Sequence, residues 1–368
     1  MVNIESLLNL MVQNEASDLY ITQGAEPTLR VNGVLMPALE QKLSKKDTET
    51  LAKSVMNDKE QKVFDETCEQ NLALAYDTLG RFRVNIFKQK NAVGMVIKHI
   101  KTIIPSIEEL KLPNLLKDVV MLERGLVLIV GATGSGKSTT LASMIDYRNS
   151  NKTGHILSIE DPIEFVHTHK KSIITQREVG MDTIDYKVAL KNALRQAPDA
   201  VFIGEIRDEE TMSAAIHFSE TGHLCLATLH SNNANQTIER IVNFFPPEKQ
   251  KQVYMDLSLN LRAVISQRLV PTVDGKRRVA LEILLDSPRA KDLIFKGEIE
   301  LLKEAIEKGA TIGMKTFDDS LYDLYNEKII TLETALENAD SENNLRLKIK
   351  LKEDGGSKES DVGLRLDL

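Results

Sequence analysis

Gly131-Ala132-Thr133-Gly134-Ser135-Gly136-Lys137-Ser138 decides the fold of this chain. The stretch fills the pattern G-x-x-x-x-G-K-[ST] without a mismatch. Immediately before it, Leu126-Val127-Leu128-Ile129-Val130 is a continuous apolar run, which predicts a buried parallel strand. Immediately after it, Thr139-Thr140-Leu141-Ala142-Ser143-Met144 has a spacing that suits a helix. The glycines let the backbone wrap tightly, so that its N–H groups can point at phosphate oxygens. The helix N-terminus adds favourable partial positive charge. Lys137 is expected to reach the β- and γ-phosphates, and the Ser138 hydroxyl to ligate Mg2+. Gly131 through Thr139 is therefore the expected cradle of a nucleotide. A glycine-rich turn with no ligand is the bland alternative, and the full motif in its strand–loop–helix setting counts against it.

Outward from this loop, the whole chain sets limits. Its 368 residues exceed one average domain, so two are expected. Hydrophobic residues make up 42% and charged residues 27%, as in a soluble globular protein. Acidic residues (54) outnumber basic ones (47), for a net charge of -7, which argues against general nucleic-acid binding. No apolar run approaches the length of a membrane span. Met1 to Ser6 lacks a basic region followed by an apolar one, so no secretory leader is expected. Cys68 and Cys225 can build neither a disulfide framework nor a four-thiolate zinc site, and a reducing cytosol fits.

The alternation of elements predicts an α/β fold. In residues 1–102, Ile4, Leu7, Leu8 and Met11 recur at helical spacing. Short strand candidates follow at Asp18–Ile21 and at Thr28–Val31, the latter before an Asn32-Gly33 turn. A helical region is expected through 46–66. Arg81 to Phe87 alternates like a half-buried strand, with Asn91 to Ile100 as its hairpin partner. Pro105 and Pro113 mark 103–114 as a linker. From 115 to 286 strands and helices alternate as in a parallel sheet, with strands expected at Leu126–Val130, His155–Ile159, Ala200–Gly204, Leu224–Thr228 and Arg278–Leu285. Residues 287–339 read as helical. Residues 340–368 read as a mobile tail, within which Leu345 to Leu351 alternates like a strand.

Three further clusters carry candidate chemistry. The apolar strand Ala200-Val201-Phe202-Ile203 runs into Gly204-Glu205-Ile206-Arg207-Asp208, an acid at a strand tip placed to hold Mg2+ through its water shell. The bland alternative, a surface acid capping the next helix, is stronger for Asp208, Glu209 and Glu210. A second acidic cluster, Glu160-Asp161-Pro162-Ile163-Glu164, closes another strand, where open α/β sheets bind ligands. Glu164 is the choice for orienting and deprotonating an attacking water, with Glu160 and Asp161 in support. His223 and His230 flank the run Leu224 to Leu229, and either one is small and tunable enough to contact a γ-phosphate. A satisfied structural histidine is the commoner case. Arg81 and Arg83 share one face of their strand, and Arg207 follows the strand-tip acid. A trans arginine can stabilise transition-state charge, although a solvated face is the ordinary explanation.

In combination these boxes resemble those of the type IV pilus retraction ATPases, the PilT/PilU group of the type II/IV secretion ATPase superfamily. The Walker A box is Gly131 to Ser138, the Asp box Ile156 to His167, the Walker B box Ala193 to Asp208, and the His box Thr221 to His230. The resemblance implies a homo-hexameric ring of subunits, each joining an N-terminal PAS-like domain to a RecA-like P-loop motor domain with a helical C-terminal extension. It implies ATP and Mg2+ as ligands, Glu164 as the water-activating residue, Glu205 at the metal, and a contribution from Arg81, Arg83 and His230. Rotation between the domains, hinged at 103–114, would supply the work. The implied partners are a PilT-like retraction ATPase and a PilC-like platform protein, at the cytoplasmic base of the pilus machine on the inner membrane. Two departures favour the PilU branch. The stretch Pro288 to Lys296 keeps Leu293 and Ile294 of a PilT retraction motif but lacks its second arginine, and the tail is long. The resemblance thus points to an accessory motor. A low-turnover ring subunit docking on PilT, a pilus-assembly or secretion ATPase, and a DNA translocase are the rivals.

Overall fold

The computed structural model describes residues 2–31, 33–100 and 103–356, with side chains through 352. The chain divides into two compact units, residues 1–104 with Ile163–His167, and residues 105–162 with 168–368.

The N-terminal unit runs α1 (Ile4–Gln13), β1 (Asp18–Ile21), β2 (Thr28–Val31), β3 (Val34–Pro37), α2 (Lys45–Val55), α3 (Asp58–Thr67), β4 (Glu69–Tyr76), β5 (Gly80–Gln89) and β6 (Ala92–Ile100). Its antiparallel sheet has the order β3-β2-β1-β6-β5-β4. Ile4, Leu7, Leu8 and Met11 form the buried stripe of α1 that their spacing predicts. The expected single helical region through 46–66 is two helices. Asn57 starts α3 with a capping box, so the chain turns between them. Phe82, Val84 and Ile86 of β5 are fully buried, which leaves Arg81 and Arg83 on the opposite face. Lys90 and Asn91, both at positive φ, make the tight turn into β6. Strand β4 carries no clean alternation, and its pairing with β5 is a tertiary outcome. Asn32 of the expected turn lies outside the described residues.

The second unit is a three-layer α/β/α domain. It runs α4 (Leu115–Val120), β7 (Gly125–Gly131), α5 (Lys137–Asn151), β8 (Gly154–Glu160), β9 (Ser172–Glu178), α6 (Tyr186–Ala193), β10 (Ala200–Ile203), α7 (Glu209–Glu220), β11 (Leu224–Leu229), α8 (Ala234–Asn243), α9 (Pro247–Asn260), β12 (Leu261–Pro271) and β13 (Arg277–Leu285). Helices α10 (Pro288–Lys296), α11 (Leu302–Lys308), α12 (Phe317–Asn326), α13 (Leu332–Glu337) and α14 (Glu342–Gly356) complete it. The sheet order is β13-β12-β7-β11-β10-β8-β9, parallel except for β13. The apolar run of β7 is continuous because both faces are covered. Leu126, Leu128 and Val130 enter one core, while Val127 and Ile129 enter the other.

Four expectations change. The stretch 103–114 is not a free linker, because Ile107 and Leu112 are buried in the same core as Ile129 and Leu141. Arg148 of α5 also donates to the carbonyls of Val120 and Leu122, which locks α4 in place. The units therefore change at Ile104, with a second crossing at Ile163–His167. The tail from Asp340 forms α14, which buries Leu345 and Ile349 against the α12–α13 region. Positions four apart share a helix face, so the alternation of Leu345, Leu347, Ile349 and Leu351 served a helix as well as a strand. Residues 357–368 of that tail lie outside the described residues. Finally, β9 and β12 were not anticipated. β9 is an edge strand with few apolar residues, and β12 is interrupted by Ser266-Gln267-Arg268.

Candidate nucleotide site

Parallel alignment brings the C-terminal tips of β7, β11, β10 and β8 to one edge of the sheet. Gly131 ends β7 at φ +154°, and a Cβ there would stand 2.5 Å from Ser135 Oγ and 2.6 Å from the Gln267 carbonyl. Only glycine lets the loop fold this tightly against β12. Ala132, Thr133 and Gly134 are exposed at the crest, Ser135 is buried beneath them, and Gly136 opens α5. Ser138 and Thr139 follow in the first turn, half-buried.

A continuous polar chain crosses the strand tips. Lys137 Nζ donates to the carbonyls of Gly131 (2.8 Å) and Ala132 (3.0 Å) and stands 3.5 Å from His230 Nδ1. His230 Nε2 is 3.2 Å from Glu205 Oε1. The other Glu205 oxygen takes a fork from Arg207, Nε at 2.8 Å and Nη2 at 2.7 Å. Arg207 Nη1 reaches Asp161 Oδ2 at 3.4 Å. With an ammonium facing Nδ1 and a carboxylate facing Nε2, the geometry selects the imidazole tautomer that accepts at Nδ1 and donates from Nε2. The ring thus couples the phosphate-loop lysine to the strand-tip acid.

Gly204 lets Glu205 take this position. A Cβ at Gly204 would come within 2.9 Å of the Tyr186 hydroxyl and 3.0 Å of the Glu160 Cα. The Glu205 loop is fastened to β11 by the Ile206 N–H donating to the Thr228 carbonyl at 2.8 Å. Burial pushes the Tyr186 phenol well above its ordinary pKa, so it stays neutral beside the acids. Glu160 is buried and accepts from Ser158 Oγ (2.6 Å) and Gln176 Nε2 (3.1 Å).

Two open clefts flank the loop. One of about 600 Å³ is bounded by Ala132, His230, Asn232, Gln236 and Arg240. The other, of about 250 Å³, lies between Ala132–Ser135 and Gln267, Arg268 and Arg277. Gln267 and Arg277 were missed in the sequence. The signal for Gln267 was a polar trio, Ser266-Gln267-Arg268, inside a strand covered on both faces.

The structure therefore gathers Gly131–Thr139, Glu205, Arg207 and His230. It does not gather His223, which sits at the opposite end of β11. There its Nδ1 lies 3.1 Å from Thr221 Oγ1 and 3.2 Å from the Phe218 carbonyl, and the expected γ-phosphate contact for His223 is withdrawn. Asp208 is the N-cap of α7, while Glu209 and Glu210 pair with Lys249 and Lys187, as surface acids do. Glu164 is exposed and lies on the segment that packs with the N-terminal unit, to which Arg81 and Arg83 also belong. Arg83 stands directly across from Lys98, and the Arg81 Nε is buried without a hydrogen-bond partner.

Known proteins match along most of the chain. The Pseudomonas aeruginosa type IV pilus ATPase PilU is 56% identical over 95% of this chain and 92% of its own length. The type IV pilus retraction ATPase PilT of the same organism is 42% identical, covering 92% of this chain and 98% of its own length. A crystal structure of the pilus retraction motor PilT with bound ADP superposes with a TM-score of 0.88 at 39% identity, covering 94% of this chain and 99% of that one. The model of the type II/IV secretion system protein family matches residues 2–292. By its phosphate loop, its strand-tip acids and this match across most of its length, the chain belongs to the type II/IV secretion system protein family.

Proposed function

We propose that this type IV pilus retraction ATPase works as a Mg2+-dependent accessory motor, a homo-hexameric ring acting with a PilT-like ATPase. The observation that carries the catalytic part is the Lys137–His230–Glu205–Arg207–Asp161 chain at the strand tips. Loop amides and Lys137 would hold the triphosphate and neutralise its charge. The Ser138 hydroxyl and the Glu205 carboxylate are hard oxygen donors. They suit Mg2+, which keeps most of its waters and shares itself with phosphate. When bound, the ion would supply charge neutralisation between the β- and γ-phosphates. Glu164 would position and deprotonate the attacking water, and His230 would report occupancy of the phosphate site to Glu205. Arg81 and Arg83 would contribute positive charge to a nucleotide, within a subunit or across a ring junction.

The motor would sit at the cytoplasmic base of the pilus machine and push against a PilC-like inner-membrane platform protein. No helix among the described residues is long and apolar enough to cross a membrane, which is compatible with peripheral attachment through partners. The accessory role rests on the match to PilU and on α10, which reads Pro288-Arg289-Ala290-Lys291-Asp292-Leu293-Ile294-Phe295-Lys296. Steady-state ATPase assays of the purified protein, with and without a PilT-like partner and with and without Mg2+, test the proposal. Mg2+-dependent turnover that rises with the partner is expected. Turnover indifferent to the partner removes the accessory role, and no turnover in any mixture removes the motor.

A further inference from the structure

Gln267 stands where a strand of the sheet meets the phosphate loop. It is 1% exposed on β12, in register with Gly131, and its backbone carbonyl closes against the Gly131 Cα. Its Nε2 donates to Thr140 Oγ1 of α5 at 2.8 Å. Its other polar atom, Oε1, is buried with no hydrogen-bond partner. The cavity beside it, about 250 Å³, is walled by Ala132, Thr133, Gly134 and Ser135 of the loop. The Ser135 hydroxyl oxygen in that wall is likewise buried without a partner. Buried polar groups are almost always paired, so two orphans beside one polar cavity point to a ligand group that pairs them.

We propose that Gln267 is a further nucleotide-binding residue, whose carboxamide donates an N–H to a phosphate oxygen held beside Ser135. The Thr140 contact makes this possible. A carboxamide has nearly the same shape after half a turn about its last side-chain bond. After that turn Oε1 accepts the Thr140 hydroxyl proton and Nε2, with its donors, takes the place of the unpartnered oxygen. Both ends of the amide are then satisfied, and the Ser135 hydroxyl donates to the same anion. The class of ligand follows from the walls, which hold loop residues together with the cations Arg268 and Arg277 and suit a phosphate rather than a base. Because Gln267 is fixed by strand pairing to Gly131, its backbone is placed before the ligand arrives.

This inference rests on the nucleotide-binding reading, so its test carries a control that separates the two. Binding of ADP, of inorganic pyrophosphate and of adenosine is measured by calorimetry on the full chain, for wild type and for Gln267→Met, Gln267→Glu and Lys137→Ala. Methionine keeps the volume without the donors, and glutamate keeps the shape and its hold on Thr140 but presents an anion. Loss of a hydrogen bond to a charged group predicts about tenfold weaker ADP and pyrophosphate binding for Gln267→Met. Gln267→Glu should bind more weakly still, and adenosine binding should not change. The thermal midpoint without ligand should stay within a few degrees of wild type for Gln267→Met. Wild-type affinity of both Gln267 variants, while Lys137→Ala binds poorly, overturns the proposal and leaves the nucleotide site standing. Loss for ADP without loss for pyrophosphate overturns the phosphate assignment. Undiminished binding by Lys137→Ala places the nucleotide away from this loop and removes this inference with it.

Discussion

The two ends of β11 carry the same residue type in different company. At its start, His223 meets a threonine hydroxyl and a backbone carbonyl. At its end, His230 lies between a lysine and a glutamate. Seven residues of extended chain separate the two by about 23 Å. A histidine acquires its neighbours here from the sheet edge it occupies. Only the C-terminal edge collects a glycine loop, a helix N-terminus and acids from neighbouring strands. The opposite edge has turns that bind their own backbone.

Substitutions can break this contrast, and the largest effect belongs to the phosphate loop. Lys137→Ala should abolish measurable hydrolysis, a loss of about 10³-fold or more, because the phosphates lose their principal cation while the oxyanion charge grows. Residual turnover near wild type would place the chemistry elsewhere. Glu164→Gln should retain ATP binding yet slow steady-state turnover about a hundredfold or more. Equal rates for the two proteins would remove the base assignment.

The paired histidine test follows. His230→Ala should lower turnover about tenfold to a hundredfold, through loss of its hydrogen bond to the Glu205 carboxylate. His223→Ala should stay within about twofold, since its contacts are local. Similar losses in both would dissolve the contrast between the edges.

The smallest effect concerns stability. Glu282 is buried beneath the start of α8, accepting from the Ala234 N–H at 2.7 Å and from Ser266 Oγ at 3.1 Å. Burial raises its pKa above the ordinary glutamate value of 4.5. An acid raised on folding favours the native state in its protonated form. Its contribution is complete below 4.5 and is lost as pH rises through the folded value. Glu282→Gln keeps the acceptor and removes the buried charge. Denaturant titrations should therefore show unchanged or higher stability at pH 7, by up to about 1 kcal/mol, and a flatter profile as pH rises above 4.5. A clear loss of stability at pH 7 would mean the carboxylate itself is required.

The sequence was legible where one residue pattern has one structural use. The loop Gly131–Ser138, the alternation of β5 and the stripe of α1 each appear where expected. It was less legible where a pattern serves two structures. Leu345 to Leu351 fits strand and helix alike, and prolines at 105 and 113 mark a break in regular structure without saying whether the chain is packed. Strand-tip acids were visible as a class, with Glu205 favoured over Asp208, but only the structure shows Glu205 meeting His230 and Arg207 while Asp208 caps α7.

Local order thus determined by itself that a strand runs into a phosphate loop and then a helix, because glycine placement and apolar runs act within a few residues. Tertiary structure alone decided which distant residues share that edge. Gln267 meets Gly131, His230 meets Lys137 and Arg207 meets Asp161 only because parallel pairing sets the register of strands far apart in the chain. That register follows from the burial of both sheet faces, a property of the assembled layers that no short stretch contains.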